Sequence, residues 1–262
     1  PDESGENTDG IAFVTLSVDD WAALDRVYRA ANFRGLTMDR TEAWWRKRVF
    51  SGWDDDPYVA GAERDGELVG YLVYDITEGE HADDGRRMGV REYGHVDFAA
   101  YRALLEFCRY HDSQVDGIEF RGPVDTVLQD LASDPRDIGI EIEPGPMIRL
   151  VDVSRGLSGL SYPIGVETDL VLGVTDDLAD WNDGRFRLSI ANGAGTCEPI
   201  EEERTVDVDL TTPIATLSQV AVGFLSPEQA RQTGRFDVAS ADAGERLAAA
   251  FPSEETFLRE GF

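Results

Sequence analysis

The sequence predicts an α+β fold, with a mixed-sheet domain followed by a smaller α+β domain, and three observations carry that reading. Residues 87–123 read as strand, helix, strand. Just upstream, two apolar runs at 58–63 and 68–76 meet at Asp65-Gly66, a dipeptide that favours a tight hairpin turn. Further on, 169–175 and 184–191 alternate apolar and polar residues, as half-buried antiparallel strands do.

Taken in order, residues 1–10 form an acidic, Gly-containing linker and 11–18 a first strand. Asp19 or Asp20 caps a helix that turns Trp21, Leu24, Val27 and Tyr28 inward. Thr41 caps a second helix carrying Trp44, Trp45 and Val49. The polar residues 77–86 read as a loop. Met88, Val90 and Tyr93 suit the next strand, and Asp97 can accept from the free amides of a following helix. Phe98, Tyr101, Leu104, Leu105 and Cys108 line one face of that helix, and Ile118 and Phe120 begin its partner strand. Residues 126–132 form a short helix, while 138–143 and 147–153 read as strands around Pro144-Gly145-Pro146.

Composition changes near Ser154, which places the domains at 11–153 and 154–262. A short helix can fit between Gly156 and Pro163. After the two alternating strands, Gly193 and Gly195 form the turn before a strand at 196–200, and 205–210 is another. A helix starts at Pro213, a second starts at Pro227 under Ser226, and a strand is expected at 236–238. An Ala-rich helix at 242–251 ends at Pro252.

The formal charge is −28, from 52 acidic against 24 basic residues, with Lys47 the sole lysine. Such a surface repels phosphates and excludes a nucleic-acid partner. Dense carboxylates suit a halophilic source, an archaeon by this reading, because at molar salt the Debye length falls to about 3 Å and self-repulsion fades. Capture of a cationic substrate is the competing explanation, although it needs low salt to act at range. Five Trp, twelve Phe and eight Tyr argue against disorder, and two cysteines cannot build a disulfide framework. No apolar run approaches membrane-spanning length and nothing resembles a signal peptide, so a cytoplasmic protein without membrane partners is expected.

Helix pair, hairpin and βαβ unit, in that order, is the order of a GNAT acyltransferase domain. The wording VREYGHVDFAAYRALLEFCRYHDSQVDGIEFRGPVD resembles the second, GNAT-like domain of the Eis (enhanced intracellular survival) N-acetyltransferase family. DLVLGVTD, WNDGRFRL and VDVDL resemble the sterol-carrier-protein-like domain that closes Eis proteins, and the likeness runs to Phe262. The resemblance implies the non-cofactor portion of an acetyl-CoA-dependent N-acetyltransferase acting on primary amines. Acetyl-CoA would be carried by an upstream domain that this sequence lacks. A homo-oligomer, a hexamer in the family, is implied as well.

The turn Tyr93-Gly94-His95-Val96-Asp97 stands where a working GNAT domain binds the coenzyme A pyrophosphate on bare amides at a helix start. One glycine is left there, and Asp97 adds a fixed negative charge, so no cofactor binding is expected at this turn. The resemblance assigns a general-base role to the C-terminal carboxylate of Phe262. The plain reading of the same residue is a frayed tail, with Glu260 and Gly261 leaving it acidic and flexible. Asp152 is the candidate substrate-binding residue, pairing with an amine, or else a carboxylate capping the following turn. Trp44 or Trp45 can touch a substrate, although core is the simpler role. Among His81, His95 and His111 no pair has metal-ligand spacing, and His95 is the one to test. Asp83-Asp84, Asp176-Asp177 and 201–203 read as solvated faces, with no metal site. Two other roles stay open. Leu217, Val220, Val222 and Phe224 could line a lipid tunnel, and the chain could serve as a structural or oligomerisation module.

Overall fold

The computed structural model describes residues 10–32, 34–52, 55–78, 85–124, 126–201 and 206–260. These fall into two compact units. The first takes the described residues up to 32, those from Thr37 to Glu143, and Arg259 and Glu260; the second takes Arg34–Leu36 and Pro144–Leu258.

In the first unit, β1 (Ile11–Thr15) leads to a 3-10 turn capped by Ser17, whose backbone amide is bound in return by Asp20. Asp20 holds the N-cap position of the helix that follows, as expected, but its side chain caps no amide there and instead completes the capping box with Ser17. Helix α1 (Trp21–Ala31) buries Leu24, Val27 and Tyr28. Helix α2 (Glu42–Trp44) starts under the Thr41 hydroxyl and widens into a π-turn over Trp45–Val49, which places Trp45 fully inside. Strands β2 (Tyr58–Arg64) and β3 (Glu67–Glu78) join at Asp65 and Gly66, with φ of 53° and 79°. Those paired positive values are what a type I′ hairpin requires. Strand β3 extends into the expected loop, since Thr77 and Glu78 pair with Arg87 and Arg86. The rest of that loop, residues 79–84, lies outside the described residues.

Strand β4 (Arg86–His95), α3 (Phe98–Arg109) and β5 (Gly117–Phe120) form the predicted βαβ unit. The sheet order is β1-β2-β3-β4-β5, and only β4 and β5 run parallel. β5 accompanies β4 only from Arg87 to Val90. A bulge between β3 and β4 pairs Val73 with Glu92 and Tyr74 with Val90, so Arg91 is the extra residue. An inserted residue reverses the side-chain alternation. Met88 and Val90 accordingly pack in the core under α3, while Glu92 is buried beside Tyr71 on the other face.

A short helix, α4 (Leu128–Leu131), follows. The strand expected at 138–143 is not formed: Ile138, Ile140 and Ile142 alternate, yet no ladder partner lies alongside among the described residues, and Ile140 and Ile142 are exposed. The strand expected at 147–153 is absent too. Its amides and carbonyls are taken by side chains instead: Leu150 N donates to Ser218 Oγ, Val153 N donates to Asn182 Oδ1, and the Trp181 and Asn182 side chains donate to Val151 O.

The second unit begins with α5 (Val153–Ser158), followed by β6 (Thr168–Thr175), β7 (Gly184–Ala191) and β8 (Ala194–Ile200). The turn before β8 is Asn192-Gly193, both with positive φ, so Gly195 belongs to the strand and not to the turn. Strand β9 (Leu210–Pro213) starts later than the expected 205–210, of which Thr205 lies outside the described residues, and the Asp209 carboxylate just before it accepts from Val171 N and Arg246. Helices α6 (Ile214–Ala221) and α7 (Pro227–Gln232), strand β10 (Asp237–Val238) and α8 (Ala241–Ala250) complete the unit. The sheet order is β10-β9-β6-β7-β8, with β6 and β9 parallel. Leu170, Leu172, Leu188, Leu210, Leu217 and Leu247 form the centre of its core, each fully buried. No helix among the described residues is long and apolar enough to cross a membrane.

Candidate functional site

The turn after β4 can be judged as an anion cradle from its own contacts. Asp97 accepts from Ala100 N at 2.8 Å, taking an amide that a bound phosphate would use. Arg64 grips the same carboxylate with two bonds of 2.8 and 3.2 Å. That guanidinium, helped by the Ala100 amide, holds the Asp97 carboxyl down at about 2, so it is ionised across the physiological range. Gly94 has a different duty, since a Cβ there would lie 2.5 Å from the Tyr71 ring. The glycine makes room for a buried aromatic side chain. These residues do not fit a pyrophosphate: an ionised carboxylate and its arginine fill the helix start.

His95 is half-buried, stacked near Tyr93 and packed on Tyr101, and burial pulls its pKa below the ordinary value. Its surroundings are those of a packed aromatic side chain.

The first unit also holds a buried ionic centre that sequence reasoning did not single out. Arg40, from the stretch before α2, sends Nη1 and Nη2 to the two oxygens of Glu92 at 2.7 and 2.8 Å. Its Nε donates to Glu260 Oε1 at 2.9 Å. The guanidinium lies 4.0 Å from the Tyr28 ring centre and 4.7 Å from that of Trp45. Tyr71 OH donates to Glu92 at 2.5 Å, and Tyr28 OH lies within reach of Glu260 Oε1 and Met38 O. Burial opposes the charge on Arg40, but the Glu92 carboxylate outweighs it and raises the pKa. Burial and the neighbouring carboxylates push both tyrosines up, so they stay protonated donors. The other oxygen of Glu260, Oε2, is buried with no hydrogen-bond partner among the described residues.

At Glu260 alone this centre corrects the expectation of a flexible acidic residue, because Glu260 is only 5% exposed and is bonded on one oxygen. Phe262, the candidate base, lies outside the described residues, as do Gly261, His81, Asp83 and Asp84. Asp152 sits in the second unit as the N-cap of α5 and accepts from Arg155 N at 2.9 Å. Trp45 is core and Trp44 is half-buried against it. Leu217 and Val220 belong to the core of the second unit, Val222 is half-buried and Phe224 is exposed, so the four do not share one lining. Asp176 is no solvated residue: it is buried, accepts from Leu178 N, and binds Arg149 and Asn182. Among the described residues no group of three His, Cys, Asp or Glu could hold a metal ion. Cys108 and Cys197 are buried thiols, each pushed up to about 12 by desolvation.

Comparison with known proteins places names on the two units. A family model for an acetyltransferase (GNAT) domain matches residues 36–150, and one for a sterol carrier protein domain matches residues 153–259. The chain therefore carries a GNAT acetyltransferase domain followed by a sterol carrier protein domain. It is 31% identical over 176 residues to an uncharacterized N-acetyltransferase of Streptomyces avermitilis, covering 66% of this chain and 41% of that protein. It spans less than half the length of the curated relatives it matches. In fold it is similar to a GCN5-related N-acetyltransferase from Anabaena variabilis, with a TM-score of 0.72 at 21% identity over all of this chain and 65% of that one. It is also similar to Eis1 from Mycobacterium abscessus, with a TM-score of 0.63 at 24% identity over 98% of this chain and 64% of that one.

Proposed function

We propose that this chain is the non-cofactor portion of an acetyl-CoA-dependent N-acetyltransferase of the Eis type. Its acceptor is a primary amine, and acetyl-CoA is held by a GNAT domain upstream of Pro1. The observation that carries the reading is Asp97: the helix start that would bind pyrophosphate is filled by its carboxylate and Arg64. A GNAT fold whose own cradle is closed must borrow its cofactor from elsewhere. In this reading the α-carboxylate of Phe262 would take the proton that the amine nitrogen gives up as the N–C bond to the acetyl group forms and the thioester C–S bond breaks, the leaving coenzyme A thiolate taking its proton from a donor in the upstream domain. The full protein works as a homo-oligomer.

Two measurements test it. Calorimetric titration of coenzyme A into residues 1–262 is expected to give no saturable binding, and tight, saturable binding would overturn the reading. In the full-length gene product, deleting Phe262 is expected to lower kcat for acetyl transfer to a diamine, by about 10²-fold or more if a general base is lost. Unchanged turnover removes Phe262 from the mechanism.

A further inference from the structure

Between Arg121 and Glu143 the first unit stops packing. None of the described residues there joins an apolar core. Val124, Val127, Leu131, Ile140 and Ile142 are exposed instead. The sheet ends earlier, on β5, which among the described residues pairs with β4 alone. Yet the family model for the acetyltransferase domain runs on to residue 150, so this stretch belongs to the domain and is no linker.

Residues 138–143 carry the clearest signal. Ile138, Ile140 and Ile142 alternate with Gly139, Glu141 and Glu143, the pattern of a strand with one buried face. β-Branched side chains at that spacing favour an extended backbone. Ile140 is nevertheless 53% exposed and Ile142 76%. Ile138 N donates to Pro135 O, but no backbone group of 139–143 meets a partner among the described residues. An apolar face and a row of free amides and carbonyls thus lie open on the same short stretch. The first marks a surface that binds another protein segment, and the second is a template for pairing with a strand.

We infer that residues 138–143 receive an added β-strand from the polypeptide upstream of Pro1. The incoming strand pairs with their backbone and covers the three isoleucines with its own alternating apolar face. The choice of occupant rests on the upstream domain proposed above. The relatives have the length to supply it: this chain spans 41% and 48% of the two curated proteins, and, matched along 100% of its length, it covers 65% of the Anabaena chain. A tethered domain meets this surface at an effective concentration of about a millimolar, whereas a second copy brings its own net charge of −28 to the encounter.

The test compares amide exchange at 139–143 in residues 1–262 and in the full-length gene product, with exchange in α3 as the internal measure of global folding. In residues 1–262 the segment is expected to exchange as an open chain does. In the full-length protein one alternate set of its amides is expected to slow about 100-fold or more, because a strand paired on one edge donates every second N–H to its neighbour. That protection is expected to hold on dilution. Ile142→Glu is expected to leave the melting of residues 1–262 unchanged, since its side chain meets water there. In the full-length protein it is expected to return the segment to fast exchange with α3 still protected. Fast exchange at 139–143 in the unsubstituted full-length protein, with α3 protected, overturns the inference. So does protection already present in residues 1–262, or protection that fades on dilution and so hands the surface to a second copy. Titration of coenzyme A into the full-length protein separates this inference from the proposed function. A protein that protects the segment yet binds no coenzyme A keeps the added strand and sinks the cofactor reading; one that binds coenzyme A and leaves the segment open does the reverse.

Discussion

At the residue scale, charges in this protein are decided by their partners. Arg40 and Glu92 satisfy each other inside the sheet face, and removing Arg40 leaves two buried carboxylates, Glu92 and Glu260, without their cation. Arg40→Ala is expected to destabilise the first unit by about 3–5 kcal/mol, the usual result of breaking a buried pair, in urea unfolding followed by tryptophan fluorescence. A loss under about 1 kcal/mol would mean that Glu92 finds water. Asp97 gives a pH signature. Its folded pKa of about 2 lies below the ordinary value of 3.8, so it adds stability above pH 4 that is lost as the pH falls towards 2. Asp97→Asn should therefore flatten the acid side of the stability profile in thermal melts between pH 5 and 2, and an unchanged slope refutes the assignment. Asp97 was legible in the sequence because a capping residue announces itself ahead of an apolar helix face. Arg40 and Glu92 were not. Met88, Val90 and Tyr93 suit a strand in the sequence, but only the bulge at Arg91 puts Tyr93 on their face and turns Glu92 to the other.

At the scale of elements, pattern told where a strand could form but not whether a ladder would meet it. The hairpin at Asp65-Gly66 and the βαβ unit were legible because their turn chemistry and helix caps are local. The expected strand at 147–153 failed because Asn182, fully buried, supplies its backbone partners from about 30 residues away. A side chain that stands in for a strand leaves no periodic trace. Asn182→Ala strips the partner from Val153 N and a donor from Val151 O, and it should destabilise the second unit by about 2–3 kcal/mol. Amide exchange at Val153 should rise in step, and protection as in the wild type would show that other groups hold the segment. The same residue is bonded to Asp176, which Arg149 also grips, so a double substitution should fall short of the sum of the single effects.

At the scale of the molecule, the charge of −28 governs behaviour in solution. Ion pairs such as Arg64 to Asp97 and Arg149 to Asp176 use arginine, but 24 basic residues cannot match 52 acidic ones. The excess must be screened. We expect the melting temperature of residues 1–262 to climb steadily between 0.1 and 2 M KCl, where the screening length shrinks from about 10 Å to under 3 Å. A melt insensitive to salt across that range would return the charge to the rival explanation, attraction of a cationic substrate. The fold class was legible from composition and periodicity together, since both units bury their own apolar core. The candidate site was legible only in part: its closed cradle is a local motif, whereas its ionic centre joins positions 40, 92 and 260.

That last connection has a consequence for biosynthesis. A nascent chain emerging from the ribosome can assemble the sheet of the first unit early, but the Nε of Arg40 waits for a carboxylate translated 220 positions later. Until then the unit carries an unanswered donor beside Tyr28. Its final consolidation is thus coupled to translation reaching position 260.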